Sequence, residues 1–353
     1  MKKKKAILIT LTVVLAVVLI GVITVYALFK HYYGMMNHET LSETPEIQGS
    51  IPEDETEEGT DSPEEEVKDL EDQLKENLAA GSQELEYDHD VYNVLLFGTD
   101  SRDDNAKGRS DSMILVSINR KENRITMTSL MRDIYVSIPG VGNNRLNASY
   151  AFGGPSLLLQ TIEENLGVHI DRYVQVNFFA FMDVIDVLGG IDLDISADEI
   201  TIMNRYIEEL NRITGKDRDV EKLDTSDAGT RHLTGKQALA YCRIRYLKGG
   251  EYERTRRQRD VLGIVFQKAK SCSLSELNDL LNALLPDLTT NIPEGEMISL
   301  VLESSKLLKY DLESDRIPVE GTYKDMRIDK RAVIGIDFPA NRQALQDIMY
   351  GTR

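Results

Sequence analysis

Apolar and polar positions divide this chain into stretches of different character. Ala6 to Phe29 (AILITLTVVLAVVLIGVITVYALF) is an apolar run without a single charge. At roughly 1.5 Å per residue such a helix crosses a hydrocarbon core of about 30 Å, so the run predicts one transmembrane helix. Glu39 to Pro63 has almost no large apolar residues and is rich in Glu, Thr, Ser and Pro, a composition that cannot bury enough surface to order itself. Val67, Leu70, Leu74 and Leu78 then recur at helical spacing before Gly81. That spacing predicts a short amphipathic helix, packed on the main domain or weakly self-associated.

From Tyr92 onward short apolar runs alternate with amphipathic stretches. Val94 to Phe97, Met113 to Ile118, Ile125 to Leu130 and Tyr173 to Val176 read as strands. Pro155 to Leu166 and Phe178 to Leu188 have helical periodicity, and Gly189-Gly190 leads into an alternating strand, Ile191 to Ile195. Thr201 to Asp227 is polar and reads as a peripheral helix plus loop, after which Thr234 to Ala240 resumes a helix. The last third reads as mostly helical, with strands at Glu313 to Val319 and Ala332 to Ile336 and a last helix at Asn341 to Tyr350. Such alternation belongs to layered α/β domains. The expected fold is α/β, a three-layer α/β/α arrangement with a central mixed sheet, preceded by one transmembrane helix.

Charge refines this outline. The formal net charge is -18, but Glu39 to Asp72 alone carries fifteen carboxylates against the single Lys68, and the rest is close to balanced. Lys2 to Lys5 precede the apolar run, and positive charge beside a first helix keeps that end in the cytoplasm. The run is longer than the roughly 7 to 15 apolar residues of a cleaved secretory signal and has no small-residue cleavage site. The expected layout is a cytoplasmic tail over 1–5, a transmembrane anchor over 6–29, an acidic linker with the short helix over 30–88, and one extracellular domain over 89–353. The expected localisation is the cell membrane, single-pass, with the N-terminus cytoplasmic. Cys242 and Cys272 are the two cysteines, too few for a disulfide framework on an exported chain.

Candidate chemistry collects where apolar strands end, the place where open α/β sheets bind ligands. Asp100 and Arg102 follow the first strand, Arg109 and Asp111 precede the second, and Arg132 with Asp133 follows the third. A second group is Arg243-Ile244-Arg245, followed by Glu251-Tyr252-Glu253-Arg254-Thr255-Arg256-Arg257-Gln258-Arg259. In a strand Arg243 and Arg245 point to one face. In the helix running on through Val261 and Val265, Arg254 and Gln258 share the apolar stripe and face inward, while Arg256 falls on the solvated side.

Several arginines turned toward one interior need an anion, because unpaired buried charge is very costly. Guanidinium forks and a helix N-terminus suit phosphate oxygens, and a diphosphate carries enough charge to engage four or five arginines. Asp100 and Asp111 would repel it unless a divalent cation lies between them; Mg²⁺ typically takes one or two carboxylates plus substrate phosphates. Other arrangements fare poorly. The five histidines show no metal-ligand spacing, and Gly235-Lys236-Gln237 lacks both the glycine spacing and the hydroxyl residue of a P-loop.

Five ordered segments carry a resemblance: Leu95-Leu96-Phe97-Gly98-Thr99-Asp100-Ser101-Arg102, Gly108-Arg109-Ser110-Asp111-Ser112-Met113, Ser129-Leu130-Met131-Arg132-Asp133, Asn147-Ala148-Ser149-Tyr150-Ala151-Phe152-Gly153-Gly154 and Ala238-Leu239-Ala240-Tyr241-Cys242-Arg243-Ile244-Arg245. Over roughly residues 92–270 the chain resembles the LytR-CpsA-Psr family. The resemblance implies a phosphotransferase that attaches polyprenyl diphosphate-linked glycopolymers, of the wall teichoic acid or capsular polysaccharide type, to peptidoglycan and releases polyprenyl phosphate. It also admits pyrophosphatase activity. The implied partners are the lipid-linked donor, the peptidoglycan acceptor and the membrane, with no nucleic acid.

By the same resemblance, Asp100 and Asp111 hold Mg²⁺ (or Mn²⁺), and Asp100, Asp111, Arg132, Arg243 and Arg245 form the catalytic set. The diphosphate-binding set is Arg102, Arg109, Arg132, Arg243, Arg245, Arg254, Arg257 and Gln258. The departure is Glu251-Tyr252-Glu253-Arg254, where the family commonly has Asp-aromatic-Gly before the arginine. An apolar groove for the polyprenyl chain would use the sides of Leu157 to Leu166 and Phe178 to Leu188. The linker, about 60 residues as a coil, would span on the order of 40 Å and let the domain work between membrane and wall.

Two rival readings use the same arginines. A nucleic-acid patch over 243–259 conflicts with a location outside the cytoplasm. A non-catalytic protein binding anionic envelope polymer leaves the pair Asp100 and Asp111 without a purpose.

Overall fold

Period-two patterning in the sequence becomes the central sheet. A computed structural model of the chain describes residues 23–42, 44–47, 60–81, 85, 87–99 and 110–351. The strands are β1 (Asn37–His38), β2 (Val91–Thr99), β3 (Ser110–Asn119), β4 (Arg124–Leu130), β5 (Tyr135–Ile138), β6 (Gly142–Arg145), β7 (Arg172–Asn177), β8 (Ile191–Ile195), β9 (Gly229–Leu233), β10 (Leu288–Thr290), β11 (Asp311–Ile317), β12 (Tyr323–Ile328) and β13 (Arg331–Ile336). After a first helical stretch at residues 23–33 come α1 (Glu64–Gly81), α2 (Ala148–Leu166), α3 (Phe178–Val187), α4 (Ala197–Ile213), α5 (Gly235–Cys242), α6 (Gly250–Ala269), α7 (Leu274–Leu284), α8 (Glu294–Leu307) and α9 (Phe338–Tyr350).

Among the described residues seven strands form one sheet in the order β1-β10-β7-β2-β3-β4-β11. It is mixed: β2 runs parallel to β7 and antiparallel to β3, while β4 runs parallel to β11. The strands that the apolar runs predict are all present. Those missed are short or polar, such as β6 (GNNR) and β12 (YKDMRI), which carry no period-two signal. The helix expected to begin at Thr201 begins at Ala197, behind a capping box in which Ser196 and Glu199 satisfy each other's backbone N–H groups.

The two faces of the sheet differ. Along β2, Val91, Asn93, Leu95, Phe97 and Thr99 are buried and the residues between them half-buried. Leu95 and Phe97 of this set join Leu115 and Tyr173 in a core closed by Leu157, Leu158 and Ile162 of α2 and by Leu345 and Ile348 of α9. Leu70 and Leu74 of α1 belong to the same core, so the amphipathic helix packs on the domain. On the opposite face α3 packs on β7 and α6 on β4, but their main core lies among themselves, with Ile185, Ile200, Leu233 and Val261. Space is left between that helical layer and the sheet.

Within α2 a kink at Gly154 (φ 65°) precedes Pro155. Proline suits a first helical turn, where its missing N–H is not needed, and the straight part is the stretch expected from Pro155 onward. Helix α5 is bound to α3 by close approach: a Cβ at Gly235 would overlap the Met182 carbonyl. The neighbouring Lys236 is buried, with its Nζ 2.9 Å from Asn211 Oδ1 and 2.7 Å from Glu221 Oε1, so this P-loop-like tripeptide is structural.

The residues preceding the acidic stretch are docked. Tyr32 Oη donates to Asn278 Oδ1 at 2.6 Å, and Lys30 pairs with Glu294 at 2.9 Å. Met36 packs with Leu285 and Leu288, and β1 pairs with β10. Tyr173 Oη donates to Glu39 at 2.8 Å. A free coil over the whole of 30–88 is therefore not what forms: both its beginning and α1 are held on the domain. The physical reason is the apolar surface of Tyr32, Tyr33, Met35 and Met36, which the acidic composition of the following residues hides. Most of the expected anchor, residues 6–22, lies outside the described residues. Among the described residues no helix is long and apolar enough to cross a membrane.

Candidate active site

The half-buried face of the sheet opens into a cavity of about 340 Å³. Its floor is Leu96, Gly98, Ile114, Val174 and Val176; Phe178, Phe181 and Val184 of α3, Leu262 and Val265 of α6 and Leu284 of α7 wall it. Where β2 ends and β3 begins, with Gly98 opposite Ser112, the lining turns polar. Asp111, Ser112, Arg132, Arg243, Arg245, Arg254 and Gln258 gather there. An apolar cavity with a few convergent polar groups at one end is the usual form of a ligand site.

Each arginine is set by a different element. Arg132 follows β4 and binds the Asp111 carboxylate; its Nη2 is 3.4 Å from Glu251 Oε1 and its Nε 3.5 Å from Asp133 Oδ2. Arg254, on the first turns of α6, reaches Glu251 Oε2 at 2.6 Å and the Asp111 carbonyl at 3.2 Å. Arg245 lies 3.5 Å from Glu251 Oε1. Arg243 is held by Glu209 at 3.2 Å and lies over the rings of Tyr206, at 4.6 Å, and Phe178. The link carrying Arg243 and Arg245 is not a strand. They still share the cavity because Ile244 between them is fully buried. Gln258 accepts from Ser112 Oγ at 3.1 Å, which fixes its amide at the polar end.

Burial pushes the Asp111 carboxyl up, but the charges of Arg132 and Arg254 and the Arg132 hydrogen bond outweigh it and hold it below the ordinary carboxylate range. Asp111 is therefore an anion at neutral pH. Burial, reinforced by the like charge of Arg132, pulls Arg254 below the ordinary arginine value against the opposing pull of Glu251 and Asp111. Its Nε has no hydrogen-bond partner among the described residues, so the cluster is short of acceptors, and buried donors left unpaired are costly. Cys242, also in the lining, is pushed up to about 12 by burial. It and Cys272 are unpaired thiols; Cys242 is not a nucleophile in this setting.

The structure brings together Asp111, Arg132, Arg243, Arg245, Arg254 and Gln258 from the sequence-expected set. Asp100, Arg102 and Arg109 lie outside the described residues. Arg257 is a correction: it points away from the cavity, 3.0 Å from Glu199, over the ring of Tyr241. One position before Gln258, it is rotated by about 100° around the helix. Arg256 pairs with Glu253 and Asp260 on the outer surface, as its place on the stripe requires. The groove wall expected from Leu157 to Leu166 is also corrected, since those residues seal the opposite face; α3 does line the cavity. Tyr206, Glu209 and Ser112 were missed. Tyr206 and Glu209 share a face of α4 at i, i+3 spacing, but nothing in the sequence assigns that face to Arg243.

Comparison with known proteins places the chain in a family. The LytR_cpsA_psr family model matches residues 55–341. Biofilm regulatory protein A of Streptococcus mutans is 33% identical over 252 residues, 66% of this chain and 59% of that protein. The polyisoprenyl-teichoic acid–peptidoglycan teichoic acid transferase TagT of Bacillus subtilis is 33% identical over 256 residues, 67% of this chain and 76% of that one. Among solved structures, TagT bound to LI-WTA superposes with a TM-score of 0.58 at 28% identity, covering 75% of this chain and 94% of that chain. TagT with bound octaprenyl pyrophosphate lipid superposes at 0.54, also at 28% identity, over 75% of this chain and 93% of that chain. The protein belongs to the LytR-CpsA-Psr family.

Proposed function

We propose that the protein transfers a glycopolymer from a polyprenyl diphosphate carrier to peptidoglycan at the outer surface of the cell membrane, held there by residues 6–29. The observation that carries this reading is the continuity of one cavity from an apolar end, fit for a polyprenyl chain, to four arginines, fit for a diphosphate. A relative named as a teichoic acid transferase and a structural neighbour with bound octaprenyl pyrophosphate lipid support it.

In the reaction the acceptor hydroxyl oxygen forms a bond to the glycan-bearing phosphorus. The bond from that phosphorus to the bridging oxygen breaks, polyprenyl phosphate leaves with the electron pair, and the hydroxyl proton is released to solvent. The donor's own diphosphate supplies the driving force. Arg132, Arg243, Arg245 and Arg254 stabilise charge on the bridging and equatorial oxygens, and preorganised charge of this kind is usually the largest catalytic contribution. Glu251 braces Arg132, Arg245 and Arg254 at once. Such bracing keeps guanidiniums oriented before the ligand arrives.

Mg²⁺ fits Asp111 in part: the carboxylate is ionised and Arg132 takes only its Oδ1. Asp111 and Asp100 would hold the ion, which would neutralise phosphate charge when bound. The arginine test is Arg245→Ala, assayed for transfer and hydrolysis on a polyprenyl diphosphate analogue. The expected loss is about 100-fold or more, by analogy with other preorganised charge-stabilising groups; activity near wild type would remove the arginine clamp. For the metal, Asp111→Asn is expected to abolish the response to added Mg²⁺, and an unchanged response refutes that role.

A further inference from the structure

Helix α8 leaves part of its apolar surface uncovered. None of its fourteen residues is fully buried, although Met297, Ile298, Leu300, Val301, Leu302 and Leu307 are apolar. Met297 packs beside Met36, Leu285 and Leu288, and two glutamates tie the helix to the sheet. Glu296 accepts from Arg172 Nε at 2.9 Å and from Tyr92 Oη at 3.0 Å, and Glu303 accepts from Arg120 Nε at 2.9 Å. Seven residues apart, the two glutamates share one side of the helix. Val301 and Leu302 face solvent, 53% and 77% exposed. A surface helix ordinarily turns its apolar stripe to the core. One that leaves Val301 and Leu302 bare while ion pairs take up part of its inner side has a second apolar phase to meet.

Its place in the fold identifies that phase. Tyr92 and Arg172 stand at the beginnings of β2 and β7, so α8 crosses that end of the sheet. Helical residues 23–33, continuous with the apolar run that starts at Ala6, come alongside there. Lys30 pairs with Glu294 at 2.9 Å, and Tyr26 Oη donates to the same carboxylate at 3.3 Å. Tyr26 is still within the apolar run, and Ile23, Val25 and Leu28 around it are more than half exposed. The apolar run therefore leaves the domain beside the N-terminus of α8.

We propose that α8 lies in the outer interface of the bilayer, with Val301 and Leu302 in the headgroup–acyl boundary, so that the domain stands on the membrane instead of hanging from a coil. This rests on reading 6–29 as an anchor. It also sets a height. From Tyr92 to Gly98 strand β2 advances six residues, about 20 Å at roughly 3.3 Å each, which separates α8 from the arginine group. A lipid-linked donor has to be drawn out of the bilayer by about that distance to reach the site.

The chain contains no tryptophan, so one introduced indole reports alone. Full-length Leu302→Trp is reconstituted in phosphatidylcholine vesicles with plain or brominated acyl chains. Glu320→Trp, on the loop after β11 at the far edge of the sheet, where the native side chain is 83% exposed, is the reference. Bromination is expected to at least halve the Leu302→Trp emission and to leave Glu320→Trp unchanged. Emission of Leu302→Trp that is insensitive to bromination overturns the docking. So does emission that is blue-shifted but unquenched, which would report cover by protein, such as a second copy. A wild-type chain that fails to float with vesicles overturns the anchor and the docking together, whereas one that floats without quenching overturns the docking alone.

Discussion

On one face of the central sheet Leu95, Phe97, Leu115 and Tyr173 are sealed against α2 and α9. On the other, Leu96, Ile114, Val174 and Val176, apolar residues from the same strands, look into a cavity. The difference does not lie in the strands. The helices of the second face satisfy their apolar surface among themselves, around Ile185, Ile200 and Val261, and so do not collapse onto the sheet. A hydrophobic floor whose hydrophobic walls stand off from it is a binding site for an apolar ligand, and the arginines at its end define what that ligand carries.

Adjacent leucines test this contrast most strongly. Leu95→Ala should destabilise the domain by about 2–5 kcal/mol, since it opens a void in a closed core. Leu96→Ala, which enlarges a space already present, should cost less than about 1.5 kcal/mol on the same reasoning. Urea denaturation of both variants decides it, and equal losses would mean that the two faces are packed alike. A second test fills the space. Val265→Trp should weaken polyprenyl phosphate binding at least roughly tenfold, about 1.4 kcal/mol, while the denaturation midpoint stays near wild type; unaltered affinity would place the lipid elsewhere. The smallest effect belongs to Arg256→Ala. Its pairs with Glu253 and Asp260 are exposed, and such pairs contribute at most about 1 kcal/mol. Transfer should be unchanged, in contrast to Arg254 only two positions away.

Much of this was legible in one dimension because it is periodic or local. The stripe Arg254, Gln258, Val261 and Val265 places two polar groups inward by helical geometry alone, and all four lie on the inner side. Asp111 and Arg132 were found because strand ends and their loops are visible as changes in pattern. Arg257 was misplaced for the opposite reason. Its orientation depends on Glu199, 58 residues earlier, and no local rule connects the two. Tyr206 and Glu209 were invisible as site residues, since the polar stretch from Thr201 looks like any solvated helix until α4 is seen packed beside Arg243.

The early segments teach the same lesson at larger scale. The apolar run from Ala6 to Phe29 and the carboxylates from Glu39 are matters of composition, and the sequence alone determines the physical character of both. It also determined the strand and helix alternation, the inward stripe of α6 and the kinds of charge available to a site, because these depend on neighbours one to seven residues apart. Only the tertiary structure decided which face of the sheet stays open and that Glu251 braces three arginines. It alone decided that residues 30–39 are fixed to the domain and that α8 leaves Val301 and Leu302 exposed. Those outcomes depend on contacts between residues tens to hundreds of positions apart, whose energies have no period that a linear pattern can carry.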